Sequence, residues 1–83
     1  MKILYFAWLR SKTGIGAEEI ELGDGVTDVA SLVDHLRARS PGHQAAFADL
    51  TAVRVAVNQD YVEWDHRVAA RDEVAFFPPV TGG

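Results

Sequence analysis

The 83-residue sequence contains no cysteine. Disulfide frameworks, thiolate zinc sites and a thiol nucleophile are thereby excluded from this chain. A reducing compartment, the cytoplasm, is the expected location. Basic residues are few: eight Lys and Arg against twelve Asp and Glu, for a formal net charge of -4. No basic stripe exists to neutralise phosphates, so nucleic acid is not expected as the main partner. Long apolar runs are absent too. The opening "MKILYFAWLR" is apolar, but too short and too soon charged for a leader or a membrane span. Neither membrane nor metal is expected among the partners. Prolines number only three, and two of them stand together at positions 78 and 79.

What remains is the composition of an ordinary globular domain, 48% hydrophobic and 24% charged. A chain of this length makes one domain and buries about 60–65% of its unfolded surface. From Lys2 to Leu9 the residues are β-branched, aromatic or aliphatic. This reads as a central strand, with Ile3, Tyr5, Ala7 and Leu9 on one face and Leu4, Phe6 and Trp8 on the other. "SKTGIG" (Ser11 to Gly16) reads as a hairpin loop. A second strand is expected over Glu18 to Leu22, with Ile20 and Leu22 inward and Glu19 and Glu21 outward.

The period then changes. Val29, Leu32, Val33 and Leu36 stand at i, i+3, i+4 and i+7, one stripe of an amphipathic helix. Thr27 is the expected N-cap, Asp28 and Arg37/Arg39 suit the two ends of the dipole, and "SPG" (Ser40 to Gly42) stops the helix. Residues 43–50 suggest a short helical turn with Phe47 and Leu50 inward. Strands are expected over Ala52 to Val57, Tyr61 to Trp64 and Asp72 to Phe77. The order β-β-α-β-(β)-β predicts an α+β fold, a β-grasp (ubiquitin-like) roll. In it a mixed four- to five-stranded sheet packs on one main helix. The first and last strands should lie side by side and parallel at the centre. Residues 1–77 then form the domain, and residues 78–83 an extended tail.

Few internal residues suggest chemistry. His35, His43 and His66 lack metal-ligand spacing and read as surface or turn histidines. Asp65 and His66 could be half of a catalytic dyad, but no nucleophile on a strained turn accompanies them. The glycines at 14, 16, 23 and 25 form no phosphate cradle. Glu18, Glu19 and Glu21 read as a solvated edge.

The ending "FFPPVTGG" is different. Pro78 and Pro79 fix their own φ and extend the residue before each, making a short rod with little entropy to lose on binding. Pro78 to Gly83 reaches at most ~20 Å, enough to thread a channel. Val80 and Thr81 offer modest apolar and hydrogen-bonding contact. Gly82 and Gly83 lack a Cβ and pass where other residues jam. An unhindered terminal carboxylate can attack the α-phosphate of ATP to give an acyl-adenylate. Capture by an amine gives protein conjugation; capture by sulfur gives a thiocarboxylate.

Several pieces carry a resemblance: "AVNQ" (Ala56 to Gln59), Asp65-His66, "DEVAFFPPVTGG" (Asp72 to Gly83) and, more loosely, "LYFAWLR" (Leu4 to Arg10). Together they resemble the small subunit of molybdopterin synthase, a family of β-grasp sulfur carriers. The resemblance implies that an E1-like adenylating enzyme, using ATP, activates Gly83 and that a sulfur donor protein supplies the sulfur. The tail, Pro78, Pro79, Val80, Thr81 and Gly82, would insert into a large synthase subunit. There the Gly83 thiocarboxylate would donate sulfur to the cyclic pyranopterin monophosphate to build the molybdopterin dithiolene. It further implies a heterotetramer, no permanently bound cofactor, and catalytic side chains in the large subunit. Strand alternation puts Phe76 and Phe77 on opposite sides. Phe77 adjoins the tail and is expected to face the partner, with Tyr61 extending its apolar patch. One departure is Arg71, where a Gly-Asp turn is more typical of the family. Carriers serving thiazole synthesis or tRNA thiolation, and ubiquitin-like modifiers, share the fold and the Gly-Gly end and remain as alternatives.

Overall fold

The structure is a computed structural model and describes residues 1–79. Five strands form a single mixed sheet: β1 (Lys2–Tyr5), β2 (Ala17–Glu19), β3 (Arg54–Val57), β4 (Asp60–Tyr61) and β5 (Glu73–Phe77). Helices α1 (Trp8–Thr13), α2 (Val29–Arg37) and α3 (Pro41–Ala46) and a 3-10 turn (Leu50–Ala52) complete it. The strand order is β2-β1-β5-β3-β4. β5 is central: it pairs parallel with β1, Tyr5 opposite Phe76, and antiparallel with β3, Val55 opposite Phe76. The expected parallel neighbours, first and last strand, are therefore present.

β1 is shorter than the sequence suggests. It ends at Tyr5 rather than Leu9, and Trp8 to Thr13 turn into α1. Ala7 breaks the strand, with φ 54 and ψ -132, a conformation that suits glycine far better than a residue with a Cβ. Leu9 is fully buried, but from a helix. A short apolar run does not distinguish strand from helix by periodicity. The expected hairpin loop is correspondingly smaller. Gly14 closes α1 in the left-handed region, its N–H donating to the Arg10 carbonyl.

In α2 the stripe behaves as its spacing demands: Val29, Leu32, Val33 and Leu36 are all buried. The helix starts one residue later than expected, so Asp28, not Thr27, is the N-cap. The Ser31 N–H donates to Asp28 Oδ1 at 2.8 Å, and Ser31 Oγ accepts from the Asp28 N–H at 3.1 Å. The segment after β4 serves the same helix end. The Val29 and Ala30 N–H groups donate to the carbonyls of His66 and Trp64, which satisfies donors that a helix start leaves open. β4 covers only Asp60–Tyr61 of the strand expected to Trp64. Asn58 and Gln59, both at positive φ, form its turn with β3. At the departure noted above, Arg71 needs no left-handed backbone.

One face of the sheet is packed. Phe47 meets Phe76 edge-on at 4.9 Å between ring centroids, and Tyr5 lies 6.2 Å from both. Ile3, Val74, Leu32 and Leu36 close around them, all fully buried. α3 approaches α1 so closely that a Cβ on Gly42 would run into the Lys12 carbonyl oxygen. Alanine is worth up to about 1 kcal/mol over glycine in a helix, but here backbone must move to admit it. Gly42→Ala is expected to destabilise the domain by about 1–3 kcal/mol, measured as a lower urea midpoint with an unchanged slope.

Candidate functional site

Strand parity builds the site. On β5, Val74 and Phe76 point into the core, so Glu73, Ala75 and Phe77 stand on the other face. On β1 and β3 the same rule leaves Leu4 and Ala56 there, in register with Ala75. All three helices pack on the opposite side, around the core residues. The open face therefore carries an uncovered apolar groove of about 470 Å³, lined by Leu4, Phe6, Ala56, Tyr61, Ala75 and Phe77 among others. Tyr61 is 76% exposed and Phe6 49%. The Phe77 and Tyr61 rings lie 5.2 Å apart. The Phe6 N–H donates to the Phe76 carbonyl at 3.1 Å, fixing Phe6 beside the end of β5. Pro78 and Pro79 follow directly, both half-buried.

The structure thus brings Phe77 and Tyr61 together and puts Phe76, fully buried, on the opposite side. The expected tail residues Val80, Thr81, Gly82 and Gly83 lie outside the described residues. Leu4 and Phe6 share the open side, as β1 alternation places them, but Trp8 is half-buried on α1. Ala56 and Ala75 are the floor that sequence reasoning missed. The antiparallel register of β3 with β5, which sets Ala56 beside Ala75, was the missing information.

A second polar centre lies on the helix side. Tyr5 donates its hydroxyl proton to Glu18 Oε2 at 2.7 Å. His43 Nε2 is also 2.7 Å from that oxygen, and Arg39 reaches Glu18 Oε1 at 3.0 Å. His43 Nδ1 is 2.7 Å from Ser40 Oγ. A carboxylate only accepts, so Nε2 carries the proton that meets Glu18. Two readings of the sequence are corrected here. Glu18 is not a solvated edge residue but sits in this network, with 11% of its side chain exposed. His43 is not a surface or turn histidine; it is buried. The available signal was parity: Glu18 faces inward with Ile20, the residue just beyond β2, and an inward carboxylate needs partners.

Burial pushes the Glu18 carboxyl up, but hydrogen bonds from His43 and Tyr5 and the charge of Arg39 outweigh it and hold it below its ordinary value. Burial and the adjacent carboxylate raise the Tyr5 hydroxyl. Ser40, His43 and Glu18 have the atom types of a nucleophile, base and acid. However, Ser40 Oγ accepts the His43 N–H as the cap of α3, at 3.1 Å, and His43 is only 6% exposed. The network ties β1, β2, α3 and Arg39, just beyond α2, together; it is not placed to meet substrate. Asp65 and His66 are both exposed and share no hydrogen bond among those of the described residues. No helix among the described residues is long and apolar enough to cross a membrane.

Because the folded Glu18 carboxyl is depressed, its contribution is fully present above the ordinary glutamate range, near ~4.3, and lost as pH falls through the lower folded value. Glu18→Gln is expected to cost about 1–3 kcal/mol near pH 7. It should also flatten the loss of stability below about pH 4. Urea titrations of both proteins from neutral to acid pH check this.

The sequence model of the ThiS family matches residues 3–83. The chain is 43% identical over 83 residues to the molybdopterin synthase sulfur carrier subunit of Escherichia coli (strain K12), covering 100% of this chain and 99% of that protein. It is 36% identical over 85 residues to the subunit of the same name from Chlamydomonas reinhardtii, covering 100% of this chain and 98% of that one. Among solved structures it is similar to small archaeal modifier protein 1 of H. volcanii. The TM-score is 0.79 at 27% identity, over 96% of this chain and 97% of that chain.

Proposed function

The chain belongs to the ThiS family, and from that premise we propose that it is the sulfur carrier subunit of a molybdopterin synthase, working through the carboxylate of Gly83. One observation supports this most directly. β5 is the central strand, its outward residues join the apolar face, and it runs into Pro78 and Pro79 without an intervening loop. A partner that covers the Phe77–Tyr61 pair thereby receives a tail with a fixed point of departure. The relative from E. coli carries the same role in its name over the full length of this chain.

In this reading the domain is residues 1–77 and the tail residues 78–83. An E1-like adenylating enzyme holds ATP. The Gly83 carboxylate attacks the α-phosphorus and displaces pyrophosphate. Sulfide-level sulfur from a donor protein displaces AMP, leaving a terminal thiocarboxylate. The tail, from Pro78 through Val80 and Thr81 to Gly82, enters the large subunit. There the thiocarboxylate sulfur attacks a side-chain carbon of the cyclic pyranopterin monophosphate and displaces an oxygen substituent from it, and water then cleaves the resulting thioester, leaving the sulfur on the pterin and returning the Gly83 carboxylate. A dithiolene holds two sulfurs, so two charged carriers serve each pterin. The chain is part of an enzyme only as the small subunit of this sulfurtransferase, a heterotetramer of the cytoplasm with catalytic side chains in its large subunits. ATP is a substrate of the adenylating enzyme, and no resident cofactor is needed.

A ubiquitin-like modifier is the second reading, favoured by the likeness to the archaeal modifier protein. Intact-mass analysis after incubation with an adenylating enzyme, ATP and a sulfur donor separates the two. The carrier gains the mass of one oxygen-to-sulfur exchange, and loses that gain when Gly83 is deleted. Isopeptide-linked adducts without that exchange would instead establish a modifier.

The two adjacent phenylalanines should divide cleanly. Phe77→Ala is expected to weaken assembly with the large subunit by about 2 kcal/mol while leaving the melting temperature nearly unchanged. Phe76→Ala, in the core, should cost about 3–5 kcal/mol of folding stability. Calorimetry of binding and of unfolding on the same samples reads both.

A further inference from the structure

We propose that a second groove, at the outer edge of β3, receives an acidic side chain of the large-subunit partner, with Arg54 as its anchor. This rests on the sulfur-carrier reading above. The groove exists because the sheet stops short. β4 pairs with β3 only at Ala56–Tyr61 and Val57–Asp60. The Val62 N–H still donates to the Val55 carbonyl at 3.2 Å, and then the chain turns away. Beside Val53 and Arg54 no further strand follows among the described residues, and the gap facing Val62, Glu63 and Trp64 is about 440 Å³.

Two observations decide what fits there. The first is continuity with the docking face. Tyr61 lines both grooves, and Arg54 lies opposite Phe77 in the β3–β5 register. A partner that covers Phe77 and Tyr61 also overlies Arg54, at the root of the tail. The second is charge. Arg54 is exposed, and its Nη1 donates to the carbonyls of Thr51 at 3.2 Å and Val53 at 3.0 Å. Those bonds hold the guanidinium in place and leave Nε and Nη2 without a partner among the described residues. No carboxylate among them lies within ion-pair distance of Arg54, Glu63 included, whereas Arg37 and Arg39 pair with Asp34 and Glu18. A positioned guanidinium beside an apolar face suits a bidentate carboxylate. On a chain of net charge -4 it selects an acidic group against a background that repels one.

The test is the affinity of the purified large subunit for the wild-type chain and for Arg54→Glu, Arg54→Lys and Arg54→Leu, at about 0.05 M and about 0.5 M salt. Melting temperatures confirm that each variant folds. Arg54→Glu is expected to bind about tenfold or more weaker at low salt, with the gap shrinking at high salt. Arg54→Lys should fall between it and the wild type, because the charge is kept and the fork is lost. Equal binding by wild type and Arg54→Glu overturns this assignment alone, and so does a weakening that salt does not change. No binding by the wild type overturns the sulfur-carrier reading as well. Self-association of the chain that Arg54→Glu abolishes would seat a second copy in the groove and also overturns the proposal.

Discussion

The parallel pairing of β1 with β5 is the constraint on which the rest depends. It joins residues from nearly opposite ends of the chain, Lys2 with Glu73 and Tyr5 with Phe76. A parallel pair cannot be closed by a tight turn, so everything between must act as a crossover connection. That connection supplies α2 and α3, whose apolar sides cover one face of the sheet. With β1 and β3 both bonded to it, β5 is held from both sides over Val74 to Phe76 and by β3 at Phe77. The segment that leaves it at Pro78 starts from a rigid point.

Covering one face leaves the other bare, and that asymmetry is where structure meets the proposed function. The helical side buries Phe76, and no helix of the described residues shields Phe77, Tyr61 or Phe6 on the other. A continuous apolar patch on a small domain marks an interaction surface. The Tyr5–Glu18–His43 network belongs to the covered side. It saturates the polar atoms where β1, β2 and α3 meet, and no buried side-chain polar atom of the described residues is left without a partner. Its members serve the frame that presents the open face.

Much of this was legible in the sequence. The helical stripe from Val29 to Leu36 and the opposite facing of Phe76 and Phe77 follow from periodicity and parity, which are local rules, and the central parallel strands follow from the order of the elements. Where the sequence misled, the local rules were ambiguous. The run from Phe6 to Leu9 fits a strand or a helix equally well, and the unusual backbone at Ala7 decides between them. Thr27 and Asp28 are both acceptable caps, and the Ser31 hydroxyl settles the choice on Asp28.

By itself the sequence determined the buried stripe of α2, the strand character of β3 and β5 and the absence of thiol side chains, because composition and periodicity act on neighbours along the chain. Only the tertiary structure decided which residues meet across the sheet. Glu18 and His43 stand 25 positions apart, and Arg54 and Tyr61 reach Phe77 only through the register of β3 and β4. Such contacts depend on how strands slide past one another, and a one-residue slip would send each side chain to the other face. Register comes from the packing of the whole core, so no stretch of sequence holds it alone.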